Sequence, residues 1–165
     1  MVIINGKTYY GNVNIVNGRV VGEDSDDNCH PQKIDKLLEV MIPSYTFEEI
    51  AIDSKNANID VTDTVNAESI NIDSKNGNVD VSATFQHLSI NNKNGNIDVD
   101  STARSDVKLD ITSKNGNIDV SVDNIGNSKV FVENKNGICK NRPRLKGKYT
   151  AYGSIISKNG NLRFK

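Results

Sequence analysis

The sequence predicts an all-β protein: a single-domain β-solenoid of about six stacked rungs, closed at its N-terminal end by a β-hairpin cap. Two observations support this prediction. One phrase, which reads Ser-Lys-Asn-Gly-Asn-Ile-Asp-Val at 113–120, recurs six times with its lysines 18 to 23 residues apart. A repeat of about 20 residues is typical of stacked architectures. Around each phrase apolar and polar residues alternate, which is the pattern of half-buried strands.

Each repeat is predicted to form a strand, a tight turn and a second strand. Apolar residues stand three and five positions before the lysine and four and six positions after it, as Ile111, Leu109, Ile118 and Val120 do in the fourth copy. The turn between them is Lys-Asn-Gly-Asn, and both Asn and Gly tolerate the positive φ that a tight reversal needs. In the first copy, Ala57 replaces the glycine.

Two arrangements of these strands fit the pattern. In an antiparallel meander, Asn-Gly would form two-residue hairpins, and Asp73 would lie opposite Asp80 with like charges in contact. In a parallel solenoid the aspartates of successive rungs would stack as well, so charge alone does not choose between the two. The near-identical turns favour the solenoid, because each Asn can hydrogen-bond to the Asn of the next rung.

The part of the chain before the repeats is predicted to cap the stack. Asn5-Gly6 and Asn17-Gly18 are typical of the turns of two short hairpins within residues 1–21. Residues 22–45 are predicted to be an acidic loop without the ligand spacing of a calcium site, followed by a connecting strand that ends at Pro43. A helix is the alternative for residues 33–43, since apolar residues there also have helical spacing.

Residues 46–165 are predicted to form the rungs, with an irregular stretch near their end. Residues 138–152 lose the repeat pattern and contain a basic loop. The last copy restores the phrase but has Gly153 at a strand position and Arg163 where the first four copies have Asp. We expect this last copy to be the terminal rung, because the terminal rung of a stack is often atypical.

The repeated Ile-x-Ile-x-Ser-Lys-Asn-Gly-Asn-Ile-x-Val resembles the adhesin-like repeat domain of bacteria and phages. The opening Ile-Ile-Asn-Gly-Lys-Thr-Tyr at 3–9 is similar to the start of short phage-borne relatives. The resemblance covers residues 1–21 and 46–165 and implies a β-solenoid. It implies no catalytic residues, because the family has no agreed ones to carry over.

Composition argues against several functional classes. The net charge is −1, but residues 134–165 hold nine basic and no acidic residues, so one end of the stack is predicted to be basic and the rest acidic. Two cysteines, Cys29 and Cys139, are too few for a disulfide scaffold and fit a reducing compartment. The sequence has no signal-peptide pattern and no apolar run that could span a membrane. We expect a cytoplasmic protein, in the host cytoplasm if a phage encodes it, with no membrane partner.

No motif points to catalysis, a metal or a cofactor. Neither His30 nor His87 stands in a nucleophile or metal pattern. The candidate binding residues are instead charged residues that recur at fixed places in the repeat or lie in the basic loop. They are Asp60, Asp80, Asp98 and Asp119; Lys75, Lys93 and Lys114; and Arg142, Arg144 and Lys146.

The leading functional prediction is a non-catalytic macromolecule-binding or scaffold module of the adhesin-like type, with a protein as its partner. The alternative is a phage-type intracellular inhibitor that binds a host defence protein and mimics a nucleic acid through its aspartates. Self-association through acidic and basic ends is a third possibility. Direct binding of nucleic acid is less expected, since the basic segment carries no recognised binding motif.

Overall fold

The structure, a computed structural model, confirms the β-solenoid and its stack of about six rungs. It describes residues 2–4, 7–9, 14–16, 19–21 and 39–41 as strands, and residues 46–62, 65–143 and 145–165 with their side chains. The described residues contain strands and turns but no helix, and therefore no helix that could span a membrane.

The described residues form seventeen strands in two sheets that face each other. The first, here called the long-strand sheet, contains β1 (Val2–Ile4), β2 (Lys7–Tyr9), β6 (Thr46–Ser54), β8 (Asn66–Asn76), β10 (Thr84–Asn94), β12 (Val107–Asn115), β14 (Ile125–Asn136) and β16 (Tyr149–Asn159). The second, the short-strand sheet, contains β3 (Asn14–Val16), β4 (Arg19–Val21), β5 (Glu39–Met41), β7 (Ile59–Val61), β9 (Val79–Val81), β11 (Ile97–Thr102), β13 (Ile118–Asp123), β15 (Cys139–Asn141) and β17 (Leu162–Phe164).

Each repeat contributes one strand to each sheet, and like residues stack in register. Ile50 pairs with Ile70, Ile70 with Leu88 and Leu88 with Leu109 along the long-strand sheet. These side chains are fully buried between the two sheets. Because Ile, Leu and Val alternate with polar residues in the strands of the interior rungs, one face of each sheet lines this core and the other faces solvent.

The order of the last two rungs corrects the sequence-based prediction. Strand β16 of the sixth copy pairs with β12 of the fourth copy on one side and with β14 of the fifth copy on the other. Strand β17 likewise lies between β13 and β15. The sixth copy is therefore inserted between the fourth and the fifth, and the fifth copy is the terminal rung.

Side-chain burial explains this exchange. Leu162 and Phe164 of the sixth copy are each about 1% exposed, so this copy fills an interior position. The matching residues of the fifth copy are Cys139 and Asn141, which are exposed. A rung that lacks two apolar side chains costs the core less buried apolar area at the end of the stack than it would in the interior.

The N-terminal strands cap the other end, as the sequence predicted. Both expected hairpins are present, because β1 pairs antiparallel with β2 and β3 with β4. Strand β1 covers the edge of β6, and β3 covers the edge of β7. Strand β5 agrees with the strand, rather than the alternative helix, predicted within residues 33–43. The acidic loop, Cys29 and His30 lie outside the described residues.

Two asparagine ladders run along the turns and confirm the predicted stacking. The first ladder is formed by the Asn that follows each lysine. The side-chain amides of these residues are joined by hydrogen bonds of 2.7 to 2.8 Å, in the order Asn56, Asn76, Asn94, Asn115, Asn159 and Asn136. In the second ladder the Asn after each glycine uses its side-chain oxygen to accept a backbone N–H from the next rung, as Asn78 does from Asn96 at 3.0 Å. The ladders satisfy polar groups that the tight turns leave unpaired.

Candidate functional site

The four predicted aspartates form one column on the outer face of the short-strand sheet. Asp60 pairs with Asp80, Asp80 with Asp98, and Asp98 with Asp119 on neighbouring parallel strands. Adjacent strands lie about 4.8 Å apart, so the carboxylates stand at that spacing along the stack. We call these four residues the acidic column.

Basic residues continue the same column at the terminal rungs. Asp119 pairs in register with Arg163 of the inserted rung, and Arg163 pairs with Lys140 of the terminal rung. Two cations neutralise Asp119: Arg163 Nε lies 3.4 Å and Lys165 Nζ lies 3.0 Å from its carboxylate oxygens. In the described part of the structure, Asp60, Asp80 and Asp98 form no ion pair.

Burial and neighbouring carboxylates raise the pKa of two aspartates in the acidic column. Partial burial, with the nearby charges of Asp60 and Asp100, raises the pKa of Asp80 above its usual value. Partial burial likewise raises the pKa of Asp98, with Asp119, Asp80 and Asp100 adding to the rise and Lys165 opposing it. Like charges on neighbouring strands destabilise a sheet, so the column costs the fold some stability.

Two further carboxylates lie on this face and were missed by the sequence analysis. Asp100 pairs in register with Ser121 on the neighbouring strand, and Thr102 with Asp123. Both side chains are exposed. Alternation along β11 and β13 would have found them, since Asp100 stands two residues after Asp98 and Asp123 stands four after Asp119. They broaden the acidic column toward the end of these two strands.

The predicted lysines form a separate column at the turn edge. Lys75, Lys93 and Lys114 lie beside Lys158 of the inserted rung and border a groove of about 500 Å³. The groove is also lined by Asp73, Asn91 and Thr112 on the outer face of the long-strand sheet. None of these four lysines forms an ion pair within the described ranges.

The basic loop does not join the lysine column. Arg142 borders a smaller groove of about 320 Å³ with Asp123, Arg163 and Lys165, at the terminal end of the acidic column. Lys146 is exposed. Arg144 lies outside the described residues. The structure thus divides the predicted binding residues among three places: an acidic column, a lysine column and a basic terminal end.

The remaining titratable cluster lies on the long-strand sheet. Asp110 accepts a hydrogen bond of 2.6 Å from Lys108 Nζ, and His87 Nε2 lies 3.4 Å from the same carboxylate. Partial burial alone would raise the pKa of Asp110, but Lys108 and His87 outweigh it and lower that pKa. In the part of the chain that the structure describes, no three His, Cys, Asp or Glu side chains converge as metal ligands would.

Comparison with protein-family models identifies the family of this chain. The model described as Toastrack DUF4097 matches residues 8–163. The chain belongs to the Toastrack family. Curated proteins and solved structures gave no match. The Toastrack match begins in β2 and covers the second hairpin and the repeats. It confirms the expected kind of family, a repeat domain with a β-solenoid-like fold. The adhesin name and the phage origin stay predictions.

The Toastrack family is a family of unknown function whose fold is not that of a known enzyme class. Membership therefore carries no catalytic or ligand-binding residues to this chain. The charged columns are features of this chain's own sequence, and any role for them rests on their geometry.

Proposed function

We propose that this protein is a non-catalytic binding module that uses its acidic column to hold a basic surface of a partner protein. The observation that carries the proposal is the in-register stack of Asp60, Asp80 and Asp98, which have no ion-pair partner among the described residues. A partner that brings Lys or Arg side chains to this stack relieves a repulsion that the free protein has to bear.

The two asparagine ladders of the same rungs give an argument for this proposal from stability. At two turn positions of the same rungs the chain uses Asn, whose side chains bond to the Asn side chain or to the backbone N–H of a neighbouring rung and stabilise the stack. Asn in the column would remove the repulsion between carboxylates at equal side-chain size. The repulsion costs the fold stability, and a binding surface for a basic partner supplies a reason for aspartate at four successive rungs.

The shape of the face supports a protein partner. Strands β7, β9, β11 and β13 present the column on a regular outer surface, and the fixed strand spacing sets the distances between carboxylates. Rigid charges of this kind steer a basic protein and fix its register on the surface. We do not require a cofactor or a metal for this role.

A pull-down with matched variants tests the proposal. Tagged wild-type protein, an Asp80→Asn/Asp98→Asn variant and a Glu68→Gln/Asp73→Asn variant are incubated with bacterial cytosol, and the captured proteins are identified by mass spectrometry. The two variants change the net charge equally, but only the first changes the acidic column. We expect one partner to be retained by the wild type and the Glu68/Asp73 control, lost with the column variant and released at high salt. A partner that the column variant retains would contradict the proposal.

The regular spacing of the carboxylates favours a second, more specific function, the inhibition of a nucleic-acid-handling protein of a host. A column of negative charges at fixed intervals imitates the charge of a nucleic-acid backbone, which proteins contact with Lys and Arg. Competition with duplex DNA separates this function from general binding. If DNA displaces the captured partner from the wild-type protein, the inhibitor function is supported; if DNA leaves the complex intact, it is wrong.

A further inference from the structure

The two ends of the stack are protected very differently. At the capped end, the outermost strands are β2 and β5, each three residues long, and short edge strands resist pairing with other chains. At the other end the outermost strand of the long-strand sheet is β14, with twelve residues. It pairs only with β16 among the described strands, so one full side of its backbone is open.

This open edge also carries exposed apolar side chains. Phe131 on β14 is 59% exposed, and Ile138 beside β15 is 62% exposed. Val130 and Val132 point inward and continue the core only as far as this last rung. A long edge strand with an exposed aromatic side chain is a surface on which another strand can add.

The outward-facing residues of β14 are complementary to those of a second, antiparallel copy of the same strand. Lys129, Phe131 and Glu133 alternate along the outer face, and all three are exposed. In an antiparallel pair of two β14 strands centred on Phe131, Lys129 faces the partner's Glu133 and Phe131 faces the partner's Phe131. Opposite charges and aromatic pairs directly across a sheet each stabilise it.

The inward residues match in the same arrangement. Val130 faces the partner's Val132, so the apolar column of the core continues from one copy into the next. An interface in which each surface meets its own copy is the usual two-fold interface of homodimers. We propose that two copies of this chain pair antiparallel along β14, across a two-fold axis at Phe131, and form a head-to-head homodimer.

This arrangement differs from association through acidic and basic ends, which the sequence indicated. Both ends that meet in the homodimer are basic, since residues 134–165 hold nine basic and no acidic residues. Salt therefore screens a repulsion and strengthens the homodimer, whereas salt would weaken an acidic-to-basic contact. Sedimentation velocity over a concentration series at low and at physiological salt distinguishes the two.

Substitutions at the edge test the interface directly. Phe131→Lys removes the central aromatic pair and places two like charges at the axis, and we expect it to weaken dimerisation about tenfold or more. Tyr152→Lys is the matched control, because Tyr152 is an exposed aromatic residue on β16, one strand in from the edge. Far-ultraviolet circular dichroism and the Tm verify that each variant is folded. A protein that is monomeric throughout, or a dimer that Phe131→Lys leaves unchanged, would overturn the proposal.

Charge reversal tests the register. Lys129→Glu places a glutamate opposite the partner's Glu133 and should weaken the dimer, and the double variant Lys129→Glu/Glu133→Lys should restore it. In a background with Cys29→Ser and Cys139→Ser, Phe131→Cys should form a disulfide-linked dimer on oxidation, while Lys129→Cys should not. A double reversal that fails to restore the dimer, or equal cross-linking at both positions, would contradict pairing centred on Phe131. These results do not depend on the acidic column, so they are independent of the proposed binding function.

Discussion

The side-chain amide of Asn159 donates a hydrogen bond of 2.8 Å to the side-chain oxygen of Asn115, which precedes it by 44 residues in the sequence. Asn115 in turn donates to Asn94 of the third rung at 2.8 Å. Asn159 thus occupies an interior step of the ladder, and Asn136 of the fifth copy is at its end. The ladder follows the order of the rungs in space.

This position in the ladder gives a graded prediction. Asn115→Ala removes two side-chain hydrogen bonds and should lower the free energy of unfolding by about 1–2 kcal/mol. Asn136→Ala removes only the bond to Asn159, so its cost should be about half as large. Urea unfolding of the two variants measures the difference. Equal costs would contradict the prediction, because they would show that the number of ladder bonds at a residue does not set its contribution to stability.

The glycine of each turn gives a second prediction. Gly95 has a φ of +130°, and a Cβ added there would lie 2.0 Å from the carbonyl oxygen of Gly77 in the preceding rung. Gly95→Ala should therefore destabilise the protein by about 3 kcal/mol or more. Ala57 occupies the same place in the first rung without a positive φ, so Ala57→Gly should cost about 1 kcal/mol or less. Thermal unfolding of both variants checks the contrast, and a tolerated Gly95→Ala would show that the turns can move apart.

The acidic column predicts an unusual dependence of stability on pH. The pKa of Asp98 is raised in the folded protein, so the folded state binds more protons than the unfolded state just above pH 3.8, the ordinary value. The contribution of Asp98 to the free energy of unfolding should therefore fall as the pH rises through this range toward neutral. Asp98→Asn should stabilise the protein at pH 7 by about 0.5 kcal/mol, and the gain should vanish near pH 3. A loss of stability at pH 7 would contradict repulsion in the column.

Asp110 should show the opposite dependence. Lys108 and His87 outweigh the effect of burial and lower the pKa of Asp110 below 3.8 in the folded protein, so its contribution is present above that pH and is lost as the pH falls through the lowered pKa. Asp110→Asn should destabilise the protein at pH 7 by about 0.5 kcal/mol, the scale of a partly exposed ion pair. Unfolding curves at pH 7 and near pH 2 measure the change, and a difference that persists undiminished in acid would exclude the ion pair as its cause.

The sequence was sufficient to predict the solenoid, its rungs and both capping hairpins. Local features decide these elements: Asn-Gly in the turns, and Ile and Val at every second strand position. The acidic column was predictable for the same reason, because Asp98 and Asp119 occupy one position of the repeat and therefore one line of the stack.

The order of the last rungs was not predictable from the period alone. Every copy has the Asn that follows its lysine, so the first ladder is satisfied whether β12 pairs with β14 or with β16. Only the second ladder differs, because the fifth copy has Ile138 in place of Asn and can accept no bond from a further rung. Two contacts of the sixth copy with the fourth fit the interior position as well, and they are visible only in three dimensions. A Cβ at Gly153 would lie 2.1 Å from the carbonyl oxygen of Leu109, so a bare glycine fits here, and Arg163 lies against Asp119. Cys139 and Asn141, polar or small where other copies are apolar, were the signal that marked the fifth copy as terminal.

The insertion of the sixth copy also orders events during synthesis. The ribosome releases the fourth and fifth copies before the sixth, although the sixth separates them in the finished stack. While the sixth copy is still being made, the fourth rung has no lasting neighbour on its far side, and the fifth has no neighbour on either side. We expect nascent chains stalled before residue 145 to leave the fourth rung with one open edge and the fifth copy unpaired, so that proteases can cleave the fifth copy. The final copy then acts as the closing step of assembly.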